Sequence, residues 1–132
     1  MSQHSQRKEY QSAARLWAEV LDIDPSVVTA AYNLGVYHEQ QGELQKAVEL
    51  FEEARIGGFA EAAYNLGLLH EEQGELQQAR ECYEEARIGG DAKAAFNLGV
   101  LHANQGELQK AMELFEEARI PGLLMRSGAD DL

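Results

Sequence analysis

Three histidines, His38, His70 and His102, recur every 32 residues, and imidazoles in register invite a metal. A zinc ion needs its nitrogen ligands at about 2.0 Å. Equivalent residues on packed helices stand roughly 8 to 10 Å apart. One ion does not bridge such a ladder, and the three rings are expected to pack between paired helices. Glutamate pairs recur in the same way, at 52–53, 84–85 and 116–117. They are read as a wet convex face rather than as catalytic dyads. Cys82 stands where the other copies have Leu50 and Leu114, so it is expected to act as a small buried hydrophobe. A lone cysteine builds no disulfide framework, and no zinc-type spacing surrounds it. The pairs Gly57-Gly58 and Gly89-Gly90 follow no strand and are not phosphate loops. No nucleophile–base–acid set stands out. The expectation is a protein without catalytic residues, metal or cofactor, and not an enzyme.

The elements that carry these residues are three near-copies of one segment. They begin Ala30-Ala31-Tyr32-Asn33-Leu34-Gly35, Ala62-Ala63-Tyr64-Asn65-Leu66-Gly67 and Ala94-Ala95-Phe96-Asn97-Leu98-Gly99. A fixed period of this size marks a stacked repeat architecture, which usually offers an extended surface to a partner. Within a copy, Ala31, Leu34, Gly35 and His38 follow helical spacing. Gly42, Gly74 or Gly106 then interrupts, suited to the left-handed conformation that closes a helix. Leu44, Ala47, Leu50, Phe51 and Ala54 form one face of a second helix, with acidic residues largely elsewhere. Arg55, Arg87 and Arg119 sit in its last turn, where a cation suits the helix dipole. Each copy therefore predicts two antiparallel helices of about 12 to 14 residues, roughly 20 Å long. Gly35, Gly67 and Gly99 inside the first helix each cost about 1 kcal/mol against alanine. That cost is explained if another helix crosses closely, with Ala47, Ala79 and Ala111 as the small facing surface.

Residues 9–22 read as a helix with Ala13, Leu16, Trp17, Val20 and Leu21 on its apolar side, ended at Asp24-Pro25-Ser26. Trp17 aligns with Phe51, so the chain opens with the second helix of an incomplete repeat. Pro121-Gly122 is expected to end the last helix, followed by Leu123-Leu124-Met125 and a polar tail. The expected organisation is 1–27 as half-repeat and linker, repeats at 28–59, 60–91 and 92–122, and a tail at 123–132. Seven helices are predicted.

Tyr64-Asn65-Leu66-Gly67, then Gly74, Ala79, Tyr83 and Ala86, resembles the tetratricopeptide repeat. Leu21-Asp22-Ile23-Asp24-Pro25 resembles that family's linker. The later linkers, such as Ala54 to Ala62, are more similar to those of Sel1-like repeats, and the unit is two residues shorter than the family's common 34. The resemblance covers residues 9 to 121. It implies an all-α, right-handed superhelical solenoid of stacked antiparallel helix pairs, whose first helices line a concave face. It also implies a non-enzymatic function in holding peptides or partner domains. The near-identity of the copies fits recent duplication and fits deliberate construction equally.

Three ladders then lie on the concave face: Tyr32, Tyr64 and Phe96; Asn33, Asn65 and Asn97; Val36, Leu68 and Val100. An amide donates and accepts at once and pairs with both polar groups of an extended peptide. The same asparagines can instead bond a neighbouring repeat or water, and the rings can instead pack between repeats. Glu39, Glu71 and Glu72 make the groove acidic, and Glu61 and Lys93 flank its entrance. A carboxylate clamp for acidic termini is not expected. The position of its other lysine holds an aromatic, and that of its second asparagine holds Val36, Leu68 or Val100.

The 132 residues carry 23 Asp and Glu against 11 Lys and Arg, a net charge of −12. That sign repels phosphate backbones and anionic membrane surfaces, so the expected partner is a neutral or basic protein segment. No apolar run of about 18 residues predicts a membrane span, and the polar N-terminus is unlike a secretory leader. A cytoplasmic protein is expected. Terminal repeats expose the faces meant for a neighbour, which leaves two functions open. One is a monomeric peptide-binding module whose tail covers its end. The other is a self-assembling scaffold, a homo-oligomer joined through open solenoid ends.

Overall fold

The computed structural model describes residues 3–120. Pro121-Gly122 as a helix stop, Leu123-Leu124-Met125 as a lid and the polar tail lie outside the described residues. The described chain is seven α-helices without a strand: α1 Gln3–Ile23, α2 Val28–Gln40, α3 Leu44–Ile56, α4 Ala60–Glu72, α5 Leu76–Ile88, α6 Ala92–Asn104 and α7 Leu108–Arg119. They fall into two compact units, Met1–Ala62 and Ala63–Leu132. In the first, α1 packs on α2 and α2 on α3; in the second, α5 packs on α6 and α6 on α7.

The paired helices are 12 or 13 residues long, as the repeat predicts. Their buried stripe follows the helical period. Ala47, Phe51 and Ala54 are fully buried on α3, as are Ala79, Tyr83 and Ala86 on α5. Truncating such a core ring to alanine typically costs about 3 to 5 kcal/mol. Antiparallel pairing is set by the turns. Gly42, Gly74 and Gly106 have φ of 79°, 77° and 81°. This lets the next amide double back, with Glu43, Glu75 and Glu107 N–H donating to the carbonyls of His38, His70 and His102 at 2.9 to 3.0 Å. Nothing lies within 4 Å of a Cβ built on these glycines, so backbone conformation alone selects the residue.

The internal glycines meet first a ring of the facing helix, and Gly99 meets that helix's backbone as well, at 3.3 Å from Ala111 O. A Cβ on Gly35 would lie 2.8 Å from Phe51 Cε1, on Gly67 2.5 Å from Tyr83 Cε1 and on Gly99 2.7 Å from Phe115 Cε1. Each repeat thus docks the aromatic of its second helix into a notch in its first.

Several sequence expectations are corrected. The first helix begins at Gln3, not at residue 9, because Gln, Arg and Lys are good helix formers and no breaker precedes them. Its inward stripe is Ala14, Trp17, Ala18 and Leu21, with Ala14 at 7% exposure. Leu16 at 59% and Val20 at 37% face out; the spacing i, i+3, i+4, i+7 of the actual stripe is the regular helical one. The histidines do not simply pack between helices. Each is half-buried and reaches across its turn, His38 Nδ1 to Glu43 at 3.3 Å, His70 Nδ1 to Glu75 at 3.4 Å and His102 Nδ1 to Glu107 at 3.4 Å. Glu117 is not on a wet face. Its side chain is 18% exposed and accepts a 2.9 Å hydrogen bond from Arg87 of the preceding repeat. Cys82 is half-buried rather than buried.

Candidate partner-binding groove

In the second unit, α4 and α6 place one face of each first helix side by side, and two open pockets lie along α6. One, of about 580 Å³, is lined by Tyr64, Lys93, Phe96 and Asn97, together with Ala92, Phe115, Ala118 and Arg119. The other, of about 480 Å³, is lined by Leu68, Glu71, Glu72, Phe96, Asn97 and Val100. Phe96 and Asn97 belong to both, so they form the ridge between two halves of one groove. The span from Ala92 to Val100 is about 12 Å along the helix, room for three or four extended residues.

Each side chain is held by its repeat. Phe96 packs on Phe115 with centroids 5.5 Å apart and Tyr64 on Tyr83 at 5.9 Å. The sequence offered two alternatives for these rings. They pack on their own repeat's second helix, yet Phe96 keeps 53% of its surface exposed. Lys93 Nζ sits 4.9 Å over the Tyr64 ring, a cation–π geometry. Asp91 caps α6 by accepting from Ala94 N–H at 3.2 Å.

Beneath the groove lies Tyr83, fully buried. Its hydroxyl donates to Glu71 Oε1 at 2.6 Å and accepts from Asn97 Nδ2 at 3.4 Å. Burial, and then the hydrogen bond to the Glu71 carboxylate, push the phenol well above its usual range, because both disfavour a phenolate.

Of the residues expected to meet a partner, the structure brings Tyr64, Leu68, Lys93, Phe96, Asn97 and Val100 to this groove. Asn65 is half-buried on α4 and lines neither pocket. Tyr32, Asn33 and Val36 are half-buried on α2 in the other unit, with Tyr32 packed on Phe51 at 5.7 Å and Phe59 at 5.0 Å. Glu61 lies in the first turn of α4. The residues that sequence reasoning missed are Ala92 at the start of α6, Phe115, Ala118 and Arg119 on the wall that α7 contributes, and Tyr83 below. Tyr83 did leave a signal, since the other copies have Phe51 and Phe115 at its position. Among the described residues no group of three or more His, Cys, Asp or Glu is placed to hold a metal, and no helix is long and apolar enough to cross a membrane.

Comparison with known proteins extends the geometry. The family described as "Tetratricopeptide repeat" matches residues 4–63 and 64–123. No curated protein matches this chain. A crystal structure of a MamA protein superimposes with a TM-score of 0.66 at 26% identity, over 83% of this chain and 62% of that one. Residues 41 to the end of MamA from Desulfovibrio magneticus RS-1 superimpose with a TM-score of 0.63 at 23% identity, over 93% and 70%, a likeness of fold alone. The chain thus spans 62% of the first of these relatives and 70% of the second. With the family matched over both units and the helix pairs in place, this chain belongs to the tetratricopeptide repeat family.

Proposed function

We propose that the chain works without enzymatic chemistry, holding a partner protein's extended or helical segment against the first-helix faces, with the α4–α6 groove as a principal seat. The observation that carries this reading is Phe96, a large ring 53% exposed on a rigid helix, with a pocket on either side. Exposed aromatics of this kind anchor interfaces at low entropic cost. Asn97 beside it supplies hydrogen bonding to a peptide backbone. Tyr32, Asn33 and Val36 on α2, and Asn65 and Glu61 on α4, carry the same residue chemistry and are proposed as further contacts. The net charge of −12 favours neutral or basic segments over acidic ones and over nucleic acid. The reading is tested with peptides selected from a phage-displayed library on the purified chain. Phe96→Asp and Asn97→Ala are expected to weaken the selected peptides at least tenfold with helicity unchanged. Undiminished binding by both variants refutes the groove.

A second reading, association of copies through their ends, is favoured by one observation. At one repeat position Val48 and Arg80 are half-buried, whereas Met112 is 64% exposed on α7. On α1, Leu16, Val20 and Ile23 form an exposed apolar stripe. Light scattering across a concentration series discriminates: a mass that rises with concentration supports end-on assembly, and a constant monomer removes it.

A further inference from the structure

We infer that the half of the groove between α4 and α6 nearest Val100 is a seat for a cationic side chain, Arg or Lys, of the bound segment, and that Tyr83 makes it selective. This rests on the groove reading above and specifies its partner. The argument starts from hydrogen counting. A phenol has one hydrogen, and Glu71 Oε1 takes it at 2.6 Å. Asn97, 3.4 Å from the same oxygen, is then obliged to present its NH₂ to Tyr83. The Asn97 carbonyl oxygen, with the second amide hydrogen, remains as the amide's contribution to the groove. One buried hydroxyl therefore holds Glu71 as its acceptor and turns the Asn97 amide so that its carbonyl oxygen faces away from Tyr83.

The charges agree. In this unit Glu84, Glu107, Glu116 and Glu117 each pair with an arginine. Among the described residues Glu71 and Glu72 have no cationic partner, although both line the groove. Leu68, Val100 and the exposed ring of Phe96 complete the wall. An aliphatic stem packs on such surface while its head stays polar, and a guanidinium stacks on an aromatic face. The opposite half carries Lys93 and Arg119, so a ligand's positive charge is steered to the Glu71 end. The groove thus also sets the direction of the segment. Tyr83 is a positioning residue, since it acts through Glu71 and Asn97.

The test is an NMR titration of the ¹⁵N-labelled full chain with acetyl-Ala-Leu-Arg-Leu-Ala-amide and its isosteric citrulline counterpart, which lacks the charge. The arginine peptide is expected to shift the Asn97 side-chain amide and the Phe96 backbone amide. It should bind about tenfold tighter than the citrulline peptide, the usual scale of one charge-assisted contact. In Tyr83→Phe, a side chain the fold already accepts at the equivalent positions, the preference should fall below about threefold. Glu71→Gln should do the same and serves as the second variant if Tyr83→Phe fails to fold. Equal affinity of the two peptides, with the groove signals still moving, overturns the cation seat and leaves the groove reading standing. A tenfold preference that survives in folded Tyr83→Phe overturns the role of Tyr83. Neither peptide moving the groove signals overturns both readings.

Discussion

At the scale of the residue, the molecule is governed by a few polar groups set against an alanine-rich interior. Tyr83 is the clearest. Its neutral form is favoured in the folded state, so its ionisation range lies above the unfolded value of 10.0. As pH rises through about 10 the unfolded chain loses this proton while the folded chain keeps it, and the unfolded state gains. Stability present below that pH is therefore lost above it. Tyr83→Phe removes the dependence. The variant is expected to be about 1.5 kcal/mol less stable at pH 7, the net worth of a hydrogen bond to a charged group. The gap should close as pH rises beyond 10, as read by urea denaturation followed by circular dichroism. A constant gap refutes the assignment. Arg87 offers a second contrast. It bonds Glu84 through Nε at 3.2 Å and Glu117 through Nη1 at 2.9 Å, with its side chain 16% exposed. Proximity to these carboxylates raises its ionisation range, with the Glu84 hydrogen bond the largest cause, and holds Glu84 below the usual carboxylate range. Arg119, paired among the described residues with its helical neighbour Glu116, is 66% exposed. Arg87→Ala is expected to cost about 2 kcal/mol and Arg119→Ala about 0.3 to 0.5, measured by thermal unfolding at pH 7. The Glu84 contribution to that difference is present above the unfolded carboxylate range and fades as pH falls through the lowered folded value.

At the scale of the element, two glycines in one helix pair serve different ends. Gly67 is in a helix and makes room for the Tyr83 ring at 2.5 Å; Gly74 is in open space and supplies a φ of 77°. Gly67→Ala gains about 1 kcal/mol of helix propensity and loses about 1 to 3 to overpacking, with a net loss because the ring it meets is buried. Gly74→Ala should cost about 1 to 2 kcal/mol through the backbone alone. Gly74→Asn should recover part of that, because asparagine tolerates the left-handed region. Chemical denaturation of the three variants checks the ordering; an asparagine no better than alanine would show that φ is not the cause. Sequence spacing already identified both glycines as structural. It did not distinguish a ring from a helix as the object Gly67 avoids, since period tells which positions face inward and not which atom meets them.

At the scale of the whole molecule, the excess of 12 negative charges acts on any ligand before contact. Binding of a cationic peptide should therefore weaken steadily from 0.05 to 0.5 M salt as the screening length shrinks below about 10 Å. Its citrulline counterpart should respond far less. Fluorescence anisotropy at several salt concentrations reads the difference, and parallel salt slopes for the two peptides would refute the steering.

Much was settled by the chain alone. The 32-residue recurrence of Tyr/Phe-Asn-Leu-Gly, the turn glycines and the amphipathic second helices dictate seven helices and antiparallel pairing, because helical periodicity and left-handed glycines are local properties. The family resemblance followed from the same positions. Tertiary structure decided what depends on atoms brought together from distant positions. It put Ala14 inward and Leu16 outward on α1, turned each histidine toward a glutamate across its turn, and set a half-buried Glu117 against Arg87. It also set Tyr83 beneath Glu71 and Asn97, 12 and 14 residues away, where its one proton fixes which way two groove side chains point.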